Sequence, residues 1–258
     1  MTKKIVKVGD IECGANQLFL ISGPCVIEDE SIMMRTAEKL KEVTERMRIP
    51  LIFKSSYQKD NRSSLEYYTG PGLEKGLEIL AKIKAQFGFP ILSDVHYPDQ
   101  IAAAAQSGRV INIKHGQFLA PDNMGKPAQK AVDSGNDQII LTERGYTFGY
   151  NDMVVDPRSF YFMRQTGFPV VFDITHSIRK YGIPSADPKG GNRPVMPTIA
   201  RAGVAAGVDG VFIETHPDPA RALCDAASQL SVYELEEFLK PLVELHEVEV
   251  KYREKILA

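Results

Sequence analysis

The feature that most constrains this chain is a repeating unit. A run of four or five residues, mostly apolar and rich in β-branched and aromatic types, ends in polar residues and leads into a helical pattern. The runs cover residues 18–22, 51–54, 90–93, 110–113, 138–142, 170–173 and 210–214, and the amphipathic stretches between them include 31–45, 74–86 and 197–206. Strands that are apolar almost throughout, rather than at alternate positions, are buried on both faces, as in a parallel sheet covered by helices. Their alternation with helices predicts repeated βα units. At 258 residues the natural closed form is an α/β fold of the (β/α)8 TIM type, which typically takes about 250 residues. No Pro/Gly/Ser linker or low-complexity tract divides the chain, so residues 1–258 are expected to form a single barrel domain.

The strand count is one short. Seven core runs are legible where a closed barrel needs eight. The pieces 5–8 and 11–13, on either side of Gly9-Asp10, read as a hairpin within an N-terminal extension of residues 1–16. That hairpin is expected to cap the bottom of the barrel and not to join the parallel set. Between Tyr97 and Arg109 there is room for one helix, at 99–106, and for no strand. One βα unit is therefore expected to be missing there.

In a barrel of this kind the chemistry sits at the C-terminal ends of the strands. The residues just past the runs are Gly23-Pro24-Cys25, then Lys54, Lys59, Asn61, Arg62, Ser63 and Ser64, then Asp94 and His96. Lys114, Glu143 and Arg144, Asp173 and His176, and Glu214 and His216 follow. Two chemistries are mixed in that set. Lys54, Lys59, Arg62, Lys114 and Arg144 would bring five cations to one face of a chain whose net charge is −2. Arg grips phosphate oxygens through two parallel bonds and Lys acts as a point charge. Each such charge-assisted bond contributes about 1.5–3 kcal/mol, and five cations suffice for two phosphate groups. Pairing with surface carboxylates explains a lone cation, but poorly explains five at strand ends beside a hydroxyl-rich segment.

Cys25, His176, Glu214 and Asp225 make the second set. Thiolate, imidazole and carboxylates suit a divalent ion such as Zn²⁺ or Fe²⁺. Taken one at a time, each is as well explained by core burial or a structural hydrogen bond, and residue types alone leave the two readings open. Cys13 and Cys224 read as structural. The net charge of −2 with a pI near 6.2 gives no pull toward nucleic acid or an anionic membrane. No window approaches the roughly 18 apolar residues of a membrane span. Three cysteines cannot form a closed disulfide set, and the short apolar N-terminal stretch is no signal-peptide core, so a cytoplasmic protein is expected.

Longer motifs add a resemblance. Phe53-Lys54-Ser55-Ser56-Tyr57-Gln58-Lys59-Asp60-Asn61-Arg62-Ser63-Ser64 resembles the FKSSxxKANRSS segment of the 3-deoxy-D-manno-octulosonate-8-phosphate (KDO-8-phosphate) synthase family. Lys114-His115-Gly116-Gln117-Phe118, Leu141-Thr142-Glu143-Arg144-Gly145, Phe172-Asp173-Ile174-Thr175-His176-Ser177, Ile213-Glu214-Thr215-His216-Pro217 and Asp225-Ala226-Ala227-Ser228-Gln229-Leu230 continue it, and it covers nearly the whole chain from Leu18. The resemblance implies condensation of phosphoenolpyruvate with D-arabinose 5-phosphate in lipopolysaccharide biosynthesis, by a homotetramer. It implies that Lys59, Lys114 and Arg144 bind phosphoenolpyruvate and that Asn61, Arg62 and Ser63 bind the sugar phosphate. Lys54, Asp94 and His176 complete the expected substrate-binding set, with Lys59 as proton donor and Asp225 as proton acceptor. Metal-independent members carry Asn in the place of Cys25. Cys25 thus aligns the chain with the metal-dependent group, and Cys25, His176, Glu214 and Asp225 match that group's ligands for Zn, Fe, Mn or a similar ion.

The sequence also departs from the pattern. Roughly two dozen residues that the family carries after His96, a strand and a loop that helps seat phosphoenolpyruvate, have no counterpart, in agreement with the seven-strand count. Asp60 replaces an Ala and sets a negative charge beside Arg62. Two other functions remain as alternatives. The related 3-deoxy-D-arabino-heptulosonate-7-phosphate synthases carry a KPRTSP-like second strand, which Lys54-Ser55-Ser56 does not match. A non-catalytic phosphosugar-binding protein is the other, should loss of the βα unit have ended turnover.

Overall fold

Each expected run becomes a strand of one curled parallel sheet in the computed structural model, which describes residues 3–60, 66–95, 104, 106–147, 149–150, 152–180, 182–184 and 187–253. The expected site residues Asn61, Arg62 and Ser63 lie outside the described residues, as do Ser64, His96 and most of the helix expected at 99–106. The chain opens with the antiparallel hairpin β1 (Val6–Val8) and β2 (Ile11–Cys13). The sheet strands are β3 (Phe19–Gly23), β4 (Leu51–Lys54), β5 (Ile91–Leu92), β6 (Ile111–Lys114), β7 (Ile139–Glu143), β10 (Val170–Asp173) and β11 (Gly210–His216). Two-residue pieces β8 (Tyr146–Thr147) and β9 (Met153–Val154) pair with each other, and β12 (Leu230–Ser231) pairs with the end of β11. The helices are α1 (Glu30–Met47), α2 (Leu73–Phe87), α3 (Gly125–Asp133), α4 (Arg158–Arg164), α5 (Ile174–Ser177), α6 (Met196–Ala205) and α7 (Leu235–Arg253).

The strand order is β5-β4-β3-β11-β10-β7-β6, parallel throughout. The first and last of the seven barrel strands, β3 and β11, pair along five residues from Phe19↔Gly210 to Gly23↔Glu214. That pairing is what closes a (β/α)8 barrel, so the fold is a TIM-type barrel. Its opening lies elsewhere, between β5 and β6, which are consecutive in sequence but unpaired among the described residues. The seam is where the sequence lacks one βα unit. A cleft of about 610 Å³ occupies it, reaching Ile21, Ile52 and Ile140 on the barrel's inner wall.

Alternate residues of each strand serve two cores. Phe19, Ile21, Ile52, Ile140, Val171 and Phe212 turn inward and pack with Val6 and Cys13 of the hairpin. The hairpin therefore plugs the barrel bottom, as its sequence suggests. Leu20, Phe53, Leu141, Phe172 and Ile213 turn outward to the helices. This two-sided burial is why the runs lack polar alternation.

Local signals place the helices. Asp29, in an extended conformation, accepts from the backbone N–H of Ile32 and caps α1. Met33, Ala37, Leu40 and Val43 recur at three- and four-residue spacing on its buried face. α2 ends at Gly88, whose φ of 78° is a left-handed cap that other residues adopt at a cost. Gly23 is required for a different reason. A Cβ there would collide with the carbonyl oxygen of Lys54 on the neighbouring strand, so only glycine lets β3 leave the sheet and deliver Cys25 to the top of the barrel.

Candidate active site

The site is built from strand ends and the loops that follow them. β3 leads to Cys25, β4 ends in Lys54, β5 leads to Asp94, and β6 ends in Lys114. β7 ends in Glu143 and is followed by Arg144, while β10 ends in Asp173. His176 sits in α5, Glu214 is in β11, and Asp225 follows in the next loop. Among the described residues, all of the expected side chains lie on this one rim.

Asp173 is the hub. It is fully buried, accepts from the backbone N–H of His176 at 2.9 Å and takes the His176 Nδ1–H at 2.8 Å. Lys114 Nζ lies 2.8 Å from the same carboxylate. Burial alone would raise the Asp173 pKa, but His176 and Lys114 overcome it and hold the group well below the usual carboxylate range. With Nδ1 committed to Asp173, the Nε2 lone pair of His176 faces Glu214 Oε1 and Asp225 Oδ2, each at 3.7 Å. Burial lowers the His176 pKa against the pull of Asp173, which favours the neutral imidazole that serves as a ligand.

The cations form the other half. Lys54 Nζ donates to Ser56 Oγ at 2.9 Å and lies 3.4 Å from Asp94 and 3.6 Å from Glu214. Lys59 Nζ is 3.7 Å from Asp94. Burial opposes the charge on Lys59, but Cys25, Glu214 and Asp94 outweigh it and push its pKa up. Burial would raise Asp94, yet Lys54, Lys59 and Lys114 hold it well below its ordinary value. The ring of Phe212 is the floor, with Lys114 Nζ 4.5 Å and Lys54 Nζ 5.6 Å from its centroid. Arg144 is beside Glu143, whose pKa is raised by burial, with the His115 ring nitrogen 3.6 Å away.

The four expected metal ligands are brought together, but in two groups. His176, Glu214 and Asp225 offer donor atoms within 4.8 Å of one another. Cys25 joins Asp225 from the other side, its Sγ 3.2 Å from Oδ2. The third member there is Cys224, whose Sγ is 2.7 Å from that of Cys25. The structural reading of Cys224 is therefore corrected: it stands in the site, because it precedes Asp225 at a tight corner. The fit to a cation rests on Glu214. Both of its carboxylate oxygens are buried without a hydrogen-bond partner; Lys54 Nζ, 3.6 Å from Oε1, offsets part of the charge without a hydrogen bond, so a further cation among these donors would stabilise the buried carboxylate.

Sequence reasoning also missed Arg179, which contacts Asp225 Oδ1, and Gln229. The Gln229 amide accepts from the Cys25 N–H at 3.4 Å and donates to the Cys224 carbonyl at 2.7 Å, tying two loops together. Arg179 lies past the end of α5, in an isolated antiparallel bridge with Gly191, so the turn after His176 and not a helical spacing brings it to Asp225.

The profile of the DAHP synthetase I family matches residues 3–107 and 99–250. The chain belongs to this family. A 2-dehydro-3-deoxyphosphooctonate aldolase of Trichlorobacter lovleyi is 45% identical over 272 residues, covering 96% of this chain and 99% of the relative. Proteins of the same name from Geotalea daltonii and Pelobacter propionicus are each 46% identical, covering 93% and 94% of this chain and 96% and 97% of their own lengths. The DAHP synthetase I profile fits in two pieces that overlap at 99–107, between β5 and β6. The Trichlorobacter alignment spans 272 positions while using 96% of 258 residues, so roughly two dozen positions of the relative have no counterpart here. The family match and the open seam thus agree that this sequence lacks the family's residues between β5 and β6.

Proposed function

We propose that the protein joins phosphoenolpyruvate to D-arabinose 5-phosphate, giving 3-deoxy-D-manno-octulosonate 8-phosphate and inorganic phosphate for lipopolysaccharide biosynthesis. The name shared by the aligned relatives supports the reaction. The observation that carries it to this chain is the sharing of Asp173: one carboxylate positions both Lys114, a cation for an anionic substrate, and His176, a ligand-ready imidazole.

Both substrates are anions, and the cation cluster offsets their repulsion while holding them in contact. Lys59, Lys114 and Arg144 hold the phosphate and carboxylate of phosphoenolpyruvate. Asn61, Arg62 and Ser63 take the sugar phosphate. C3 of phosphoenolpyruvate bonds to the aldehyde carbon, water bonds to C2, and the C2–O bond to phosphate breaks. Lys59 Nζ supplies the proton taken up by the aldehyde oxygen, an Asp225 oxygen receives one proton from the water, and the departing phosphate takes the second as the C2 carbonyl forms. Cationic side chains stabilise the charge growing on the departing phosphate. Cys25, His176, Glu214 and Asp225 would hold a divalent ion, which would supply Lewis acidity toward the water or the aldehyde. We read the protein as a cytoplasmic homotetramer. That reading is supported by the resemblance, and no helix of the described residues is long and apolar enough to cross a membrane.

The open seam favours a second reading, a phosphosugar-binding protein without turnover. Calorimetric titration of both substrates beside a single-turnover experiment separates the two. Binding followed by the eight-carbon product supports the synthase, and binding with no product at high protein concentration supports the second reading.

A further inference from the structure

The most tightly drawn cluster beyond the expected ligands is the cysteine pair. Cys25 and Cys224 are wholly buried, 1% and 0% exposed, and their sulfurs are 2.7 Å apart. Each also meets Asp225 Oδ2, Cys25 at 3.2 Å and Cys224 at 3.4 Å. Adjacent side chains of extended backbone face opposite ways. At this corner Asp225 has a φ of 49°, and the neighbours Cys224 and Asp225 present their donor atoms to the same point. The Gln229 amide, fully buried, fastens the backbone of both cysteines and so fixes the two loops against each other.

We propose that Cys224 is a second thiolate ligand of the divalent ion, so that Cys25, Cys224 and Asp225 approach it from one side while His176 and Glu214 face it across Asp225 Oδ2. The proposal rests on the metal reading of this site and extends its ligand set. Charge supports it. Two thiolates and two carboxylates would leave a buried excess of negative charge even with a divalent ion. Arg179 contacts Asp225, and the cationic Arg179 and Lys59 near the sulfurs offset part of that charge, against the burial and the Cys224 neighbour that push the Cys25 thiol up. A second soft donor shifts the preference of the site toward Zn²⁺ and away from Mn²⁺, which favours oxygen ligands.

The test uses the full-length protein loaded with Co²⁺, read by the near-ultraviolet sulfur-to-cobalt charge-transfer band, whose intensity follows the number of bound thiolates. The proposal expects Cys224→Ser and Cys25→Ser each to halve the intensity and the double variant to abolish it. An unchanged band in Cys224→Ser, with complete loss in Cys25→Ser, overturns the proposal and leaves the metal reading intact. No band in the unmodified protein overturns both. X-ray absorption of the unmodified Zn²⁺ form covers the case in which a variant does not fold: two sulfurs at about 2.3 Å support the proposal, and one overturns it.

Discussion

Asp173→Asn keeps the shape of the hub and removes its charge. In the native protein the carboxylate takes the His176 Nδ1–H at 2.8 Å and faces Lys114 at 2.8 Å. A charge-assisted hydrogen bond in a buried setting contributes about 1.5–3 kcal/mol. The Lys114 side chain is 36% exposed, so its share is discounted for screening to about 1 kcal/mol or less. The loss expected at neutral pH is therefore about 2–4 kcal/mol, measured by urea denaturation of metal-free protein. Because the folded-state pKa of Asp173 is depressed, its stabilisation is present above the unfolded value of about 3.9 and fades as pH falls below it. The gap between the two proteins must shrink below about pH 4. An Asn also offers His176 either a donor or a weaker acceptor, which releases the tautomer that directs Nε2, and metal affinity should fall about 10–100-fold. A variant within 0.5 kcal/mol of the parent by the usual scatter for surface changes, with unaltered metal affinity, would refute the hub argument.

Three further outcomes follow from the same structure. Lys114→Ala should raise the KM for phosphoenolpyruvate about 10–100-fold, the equivalent of one charge-assisted bond, with little change in arabinose 5-phosphate binding; steady-state kinetics checks both. Gly23→Ala should fail to accumulate as folded protein, since its Cβ meets the Lys54 carbonyl of the neighbouring strand, and circular dichroism with size-exclusion chromatography reads this. Phe172→Ala should cost about 3–5 kcal/mol in urea denaturation, because the ring is fully buried and packs closely on Gly203 of α6.

The fold was legible because buried parallel strands leave a run that no loop imitates. All seven runs became strands, and the two short pieces around Gly9-Asp10 became the hairpin that packs beneath Phe19 and Phe212. The missing unit could be counted from the sequence, but not the consequence that β3 and β11 still close while β5 and β6 part. Which edges remain paired depends on long-range register. At the site, residue types at strand ends named the cations and the donor set. They did not show that Asp173 joins the two, nor that Arg179, Cys224 and Gln229 enter. Those three act through backbone corners, the turn after His176 and the left-handed Asp225, and such corners leave no periodic mark in a sequence.

The central claim is the condensation itself, and its most direct measurement is phosphate release from phosphoenolpyruvate with D-arabinose 5-phosphate, before and after chelation, on the 258-residue chain. Release is expected to require both substrates, stop on chelation, and return with added divalent metal. Release that ignores the chelator would contradict the metal's role, and no release under any metal would contradict the synthase reading for this chain.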